Sequence, residues 1–301
     1  MQDHRTTLFE QHRRTLEGIA YRMLGTLAEA RDVVQETYLK WHEAEIETLD
    51  SPRAWLITVC SRLALNQLQS ARKQREIYVG EWLPEPFPDE VADDPAQQHA
   101  LDDSVSIALL RALEKLSPVE RAVFLLHDIF ELSFEEVSGV VGKNSAHCRQ
   151  LALRARKRVR DNRPRFQASP EQHQQLLEGF IGAAQRLDLD GLISLLAEQV
   201  EMYSDGGGKV EALPRMLSGA TDVARFFITI FNRFRDKGTT LRIQPQRFNG
   251  SLGILMFEND KLATALTIEA DAGRISHIYA VRNPDKFSGL LESTEIFSIP
   301  R

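Results

Sequence analysis

Between Glu81 and Asp103 the chain carries eight acidic residues and no lysine or arginine, and Pro84, Pro86, Pro88 and Pro95 fall in the same stretch. Each proline removes a backbone donor and fixes φ, so neither a regular helix nor a central strand is expected to run through it. The stretch divides the 301 residues into parts before and after, and a chain of that length is expected to hold two or three domains. The acids and prolines are predicted to form a linker, residues 77–104, plainly read as a solubilising tether.

Before the linker, apolar residues recur at helical spacing. Leu16, Ile19, Ala20, Met23, Leu24 and Leu27 share a face. Gly25 breaks that helix, and Thr26 with Glu29 predicts a capping box opening the next, whose stripe is Val33, Val34, Thr37, Tyr38 and Trp41. Ser51-Pro52 supplies an N-cap and a proline at the first helical position. The third helix runs through Trp55, Leu56, Val59, Cys60, Leu63 and Leu68 to a basic end at Arg72, Lys73 and Arg75. Both tryptophans are expected in the core.

Helices resume at Val105. Ser117-Pro118-Val119-Glu120 and Ser133-Phe134-Glu135-Glu136 read as capping boxes, Gly142-Lys143-Asn144 as a turn, and a last helix runs from Ser145 to Arg163-Pro164. Ser169-Pro170 opens a region of mixed pattern. Helices are predicted near 171–186, 190–197 and 221–235, and strands near 199–204, 239–248, 251–258, 261–270 and 274–281. Asn249-Gly250 is a type I′ hairpin signal, and Asp271-Ala272-Gly273 turns the next pair. Helices followed by an antiparallel meander predict an α+β domain.

A net charge of −6, taken alone, argues against a nucleic-acid partner, but its distribution argues for one. Arg149 to Arg163 holds seven Lys/Arg and one acid, Asp161. Two capped helices joined by a turn at Gly142, the second one basic, match a helix-turn-helix whose second helix enters the major groove. Ser145, His147, Arg149 and Gln150 are placed to reach base edges, because Arg and Gln forks fit guanine and adenine. Arg154, Arg156 and Lys157 would hold phosphates. The plainer reading is an amphipathic core helix with a solvated basic face.

Several ordered segments carry a resemblance. Asp32-Val33-Val34-Gln35-Glu36-Thr37-Tyr38-Leu39-Lys40-Trp41, Ser51–Leu56, Leu116–Leu126, Leu132–Val137 and Arg149–Ala152 together resemble sigma-70 family factors of the extracytoplasmic-function group, over roughly residues 8–160. Trp82-Leu83-Pro84-Glu85-Pro86, Asp205-Gly206-Gly207-Gly208-Lys209 and Asn283-Pro284-Asp285-Lys286-Phe287 resemble signatures of a sigma-J-like subgroup with a fused SnoaL-like domain, related in fold to nuclear transport factor 2.

The resemblance implies region 2 at 1–76, for −10 recognition and polymerase binding, and region 4 at 105–166, a helix-turn-helix for −35 recognition. A SnoaL-like domain would follow at 167–290, with a tail at 291–301. It implies Asp32, Gln35, Glu36 and Lys40 as the face for core RNA polymerase; Arg53, Arg62, Asn66, Gln69 and Arg72, with the Ala44–Ser51 loop, as contacts to melted −10 strand; and Asp205–Lys209 with Asn283, Pro284, Asp285 and Lys286 as interdomain regulatory motifs. Its partners would be core polymerase, promoter DNA (duplex at −35, melted at −10), an intramolecular contact of the SnoaL-like domain with both sigma domains, and a small ligand of unknown identity. The linker would lie in the polymerase channel until displaced by template and transcript.

No enzyme activity, cofactor or metal is expected. Asp205–Lys209 is not a P-loop, since Tyr203 and Val210 stand where Gly and Ser/Thr are required. Cys60 and Cys148 have no metal-ligand spacing and read as reduced thiols. A polar Met1–Glu10 and the lack of an apolar run of roughly 20 residues lead to an expected cytoplasmic location, away from membranes.

Two other classes fit parts of the pattern. One is a helix-turn-helix regulator with a ligand domain, its pocket drawn from Phe180, Phe226, Phe231, Phe257 and Ile268. The other is a SnoaL-type enzyme with a DNA-binding appendage, using Tyr203, Asp205, His277 or Tyr279 for proton transfer.

Overall fold

A computed structural model of the chain describes residues 2–45, 49–89, 106–161 and 168–291. The chain forms two compact units, Met1–Ile77 with Leu109–Asn162, and Tyr78–Ala108 with Arg163–Arg301. The division differs from the sequence reading in two ways: both helical segments share one unit, and residues 78–89 of the linker belong with the C-terminal domain.

In the first unit, α1 (Gln2–Leu24), α2 (Leu27–Glu43) and α3 (Pro52–Glu76) pack through their expected stripes. Phe9, Leu16, Ile19, Met23 and Leu24 from α1 meet Val33, Val34 and Trp41 from α2 and Leu56, Cys60, Ala64 and Leu68 from α3, all buried. Trp41 is fully buried, donates Nε1–H to the Arg5 carbonyl at 3.0 Å and lies 5.6 Å from the ring of Trp55, which is only half-buried rather than in the core as expected. The Thr26 capping box does not form: its hydroxyl bonds the Glu29 carboxylate instead of a backbone amide.

The second helical group is α4 (Ile107–Glu114), α5 (Pro118–Phe124), α6 (Phe134–Val141) and α7 (Ser145–Asp161), with a π-helical turn at Leu125–Ile129 after α5. Ser117 and Ser133 both close complete capping boxes. Arg121, 3% exposed, ties this group to the first: it donates to the carbonyls of Met23 at 2.7 Å and Leu113 at 3.1 Å, and pairs with Glu114. Arg163 and Pro164, expected to end α7, lie outside the described residues.

In the second unit, α8 (Pro170–Gln185), α9 (Leu189–Leu195) and α10 (Ala220–Asp236) pack on a sheet of β1 (Leu196–Asp205), β2 (Leu217–Ser218), β3 (Leu241–Phe248), β4 (Ser251–Glu258), β5 (Lys261–Asp271) and β6 (Arg274–Val281). The order is β2-β1-β6-β5-β4-β3. The meander from β3 to β6 is antiparallel as expected, and β1 adds to β6 in parallel. Asn249-Gly250 has φ of 52° and 72°, the left-handed pair that a type I′ turn requires.

The sheet is covered on both sides. On one face Met202, Ile254, Met256, Leu266, Ile268 and Ile278 pack with Phe180, Phe227 and Phe231 of the helices. On the other, Tyr203, Leu255, Phe257, Ala265 and Tyr279 pack beneath Leu83, Ile107, Ala108, Phe287 and Leu290. Among the described residues no helix is long and apolar enough to cross a membrane.

Candidate nucleic-acid interface and linker clasp

The helix-turn-helix is built from local chemistry. Gly142, at φ 65°, ends α6 in a left-handed cap that a Cβ would strain. Asn144 then accepts the His147 amide at 2.8 Å and opens α7. Cys148, Leu151, Ala152, Ala155 and Val159 face the core. That spacing leaves His147, Arg149, Gln150, Arg154, Arg156 and Lys157 exposed on one side, with Ser145 partly covered.

The cations of α7 are not bare. Arg149 lies 3.6 Å from Glu135 and over the Phe134 ring, Arg156 is 2.6 Å from Asp128, and Arg154 and Arg158 meet Glu120 at 3.5 and 2.7 Å. Ser145 donates to Glu135 at 2.9 Å. Glu120 also closes the Ser117 capping box. Burial alone would push its carboxyl up, but hydrogen bonds from Ser117 and the charges of Arg158 and Arg154 outweigh this and hold it below the usual range.

On α3, Arg53, Asn66 and Gln69 stand exposed, opposite buried Leu56, Cys60, Ala64 and Leu68. Arg62 is also exposed, but donates to the Gly139 carbonyl of α6 at 2.6 Å, a partner the sequence did not suggest. The side chain of Arg72 and the loop residues Ile46, Glu47 and Thr48 lie outside the described residues. On α2, Asp32, Gln35, Glu36 and Lys40 form one exposed face. Leu39, 57% exposed, sits beside them as an apolar residue that charge-based reading passed over.

The two C-terminal signatures meet around Asp205, which is 0% exposed at the end of β1. One carboxylate oxygen accepts from the Tyr78 hydroxyl at 2.7 Å and the Gly207 amide at 3.0 Å. The other accepts from the Leu83 amide at 2.9 Å and Lys286 Nζ at 2.7 Å. Lys286 also donates to the Leu83 carbonyl and lies 4.3 Å from the Trp82 ring centroid. Asn283 donates to the Tyr78 hydroxyl at 2.9 Å. Burial, with the bond to Asp205, pushes the Tyr78 phenol well above its ordinary range, so it stays a donor. Lys209 pairs with Asp285 at the surface.

The glycines are required by closeness. A Cβ on Gly207, at φ 60°, would fall 2.3 Å from Asn283 Nδ2, and one on Gly206 would fall 2.5 Å from the Val210 carbonyl. Further along the linker, Phe87 exchanges hydrogen bonds with Asn249 at 2.9 and 2.8 Å, and Asp89 meets Arg247 at 3.5 Å. Residues 78–89 are therefore held on the second face and edge of the sheet. This corrects the reading of the linker as a free tether for that part; residues 90–105 lie outside the described residues.

The other candidates separate by sheet face. Tyr203 and Tyr279 stack at 5.8 Å within the linker-covered cluster, His277 lies beside Tyr279, and Asp205 is saturated with donors. A cavity of about 530 Å³ lies on the opposite face, beneath α10. Phe226 and Phe231 line it, whereas Phe180 and Ile268 are core and Phe257 is on the linker side. None of the four proton-transfer candidates lines the cavity. Among the described residues no group of three or more His, Cys, Asp or Glu is placed to hold a metal.

Comparison with known proteins agrees with this layout. Residues 8–74 match the model of sigma-70 region 2, and residues 106–159 match sigma-70, region 4. The ECF RNA polymerase sigma factor SigJ of Mycobacterium tuberculosis is 36% identical over 292 residues, spanning 93% of this chain and 92% of that one. The probable ECF RNA polymerase sigma factor SigI of the same species is 34% identical over 281 residues, 93% of each. The crystal structure of M. tuberculosis SigJ superposes with a TM-score of 0.75 at 33% identity, covering 94% of this chain and 98% of that one.

Proposed function

Given that this chain belongs to the extracytoplasmic-function sigma factors of the sigma-70 family, and so directs RNA polymerase to specific promoters, we propose that its SnoaL-like domain restrains initiation by holding the linker. The observation that carries this is the Asp205 carboxylate, bonded at once to Tyr78, Leu83 and Lys286. Twelve residues, 78–89, are withheld from the tether; at ~3.4 Å each they amount to about 40 Å of reach between the two sigma regions. Polymerase and the sheet would then compete for one acidic segment, an in-chain counterpart of an anti-sigma factor.

In this reading Arg149 and Gln150, with Ser145 and His147, read −35 base edges, and Arg154, Arg156 and Lys157 hold phosphates. Arg53, Arg62, Asn66, Gln69 and Arg72 serve melted −10 strand. Asp32, Gln35, Glu36 and Lys40, with Leu39 as apolar anchor, dock core polymerase. The direct test is run-off transcription with core polymerase and the full chain. Tyr78→Phe and Asn283→Ala, which loosen the clasp without leaving a buried charge, are expected to raise promoter output. Output equal to that of the unaltered chain from both variants overturns the restraint.

A further inference from the structure

We propose that the cavity beneath α10 binds an amphipathic organic anion, an apolar body carrying one carboxylate that sits against Arg282. Its volume, about 530 Å³, suits a small-molecule pocket. Its floor is apolar, from Met202, Phe227, Phe231, Met256 and Leu266, and its mouth is ionic.

Arg233, Lys237 and Arg282 face Glu211 and Glu258 there, three cations against two carboxylates. Both acids are already engaged, Glu211 by Arg233 at 2.7 Å and Glu258 by Arg282 at 3.2 Å. The surplus positive charge favours an anion and repels a cation. Arg282 supplies the second observation. It donates one terminal nitrogen to the Glu211 carbonyl at 2.6 Å and the other to Glu258, but its buried Nε–H has no hydrogen-bond partner among the described residues. A buried donor left unmatched is costly, so a carboxylate that draws the guanidinium toward the cavity and accepts from Nε–H is favoured.

The site adjoins the clasp through two residues. Ser204 and Arg282 line the cavity, and their chain neighbours Asp205 and Asn283 hold the linker from the opposite face of the sheet. The amides of Arg282 and Asn283 both donate to the Asp205 carbonyl, at 2.7 and 2.8 Å. A headgroup that draws on Arg282 therefore pulls on the strand end that positions Asp205, and occupancy loosens the linker. This second step rests on the restraint proposed above; the binding site does not.

The experiment uses the full chain without polymerase, with dodecanoate as probe and dodecanol and dodecyltrimethylammonium as controls, by titration calorimetry. One dodecanoate per chain is expected, bound at least tenfold more tightly than either control. Arg282→Gln should weaken it about tenfold, and Ile230→Trp, which narrows the cavity from partly exposed α10, should do so without involving the charge. Absence of dodecanoate binding, equal binding of a control, or unchanged binding by both variants overturns the site. Hydrogen exchange at the Leu83 amide, faster with saturating dodecanoate, reads the link; unchanged exchange with binding intact overturns the link. Because neither readout involves transcription, an unchanged run-off result for the clasp variants leaves the binding outcome separately decided.

Discussion

On α7, Arg149, Arg154, Arg156 and Arg158 each reach a carboxylate, yet their side chains remain 45–58% exposed. In the clasp, the Asp205 side chain is 0% and that of Lys286 7% exposed. Water screens the arginine ends of the first set, although the Glu120 side chain that Arg154 and Arg158 share is only 6% exposed, and a pair with a solvated partner contributes little. The second is desolvated, and removing one partner strands the other charge. One region leaves its cations solvated; the other uses its ions to fix its own chain.

The largest effect should come from breaking the buried pair. Asp205→Asn leaves Lys286 without its counter-ion and should destabilise the C-terminal unit by about 3–5 kcal/mol, measured by urea denaturation. Adding Lys286→Met should recover much of the loss; if it recovers none, the hydrogen bonds to Tyr78 and Leu83 matter more than the charge. Gly207→Ala comes next. It meets both a left-handed φ of 60° and Asn283 at 2.3 Å, and should cost roughly 2 kcal/mol.

The surface pairs should behave oppositely. Arg154→Ala should leave stability within ~0.5 kcal/mol yet lower the salt dependence of −35 duplex binding by about one unit of slope; an unchanged slope removes Arg154 from the interface. Glu120 sharpens the contrast by pH. Its folded carboxyl is held below the usual range, so its contribution is complete above the unfolded value and lost as pH falls through the folded one. Glu120→Gln should flatten that acid limb of the stability curve. The smallest effect is expected at the thiols. Burial pushes Cys60 up to about 12 and raises Cys148 as well, so neither should react with iodoacetamide at pH 8 unless the chain unfolds.

Much of the site was legible along the chain because its signals are local. Capping boxes at Ser117 and Ser133, the Gly142 cap and the basic face of α7 all depend on neighbours within a few residues. The cover on the second sheet face was harder to read, but it left a trace. Gly253 to Phe257 is an unbroken apolar run, buried throughout, where a strand with one wet face would alternate. Arg62 gave no such trace, since its acceptor is the Gly139 carbonyl, 77 positions away.

The sequence by itself determined the helices, the caps at Ser117 and Ser133, the Asn249-Gly250 turn, the exposed basic face of α7 and the family, because periodicity and turn chemistry act over short distances. Only the tertiary structure decided that Asp205 and Lys286 grip Tyr78 and Leu83, and that the cavity opens on the other side of the same strands. Those contacts join residues more than 80 and up to 203 positions apart. Their existence depends on which sheet face the linker covers, a matter of packing between residues far apart along the chain rather than of any residue's own neighbours.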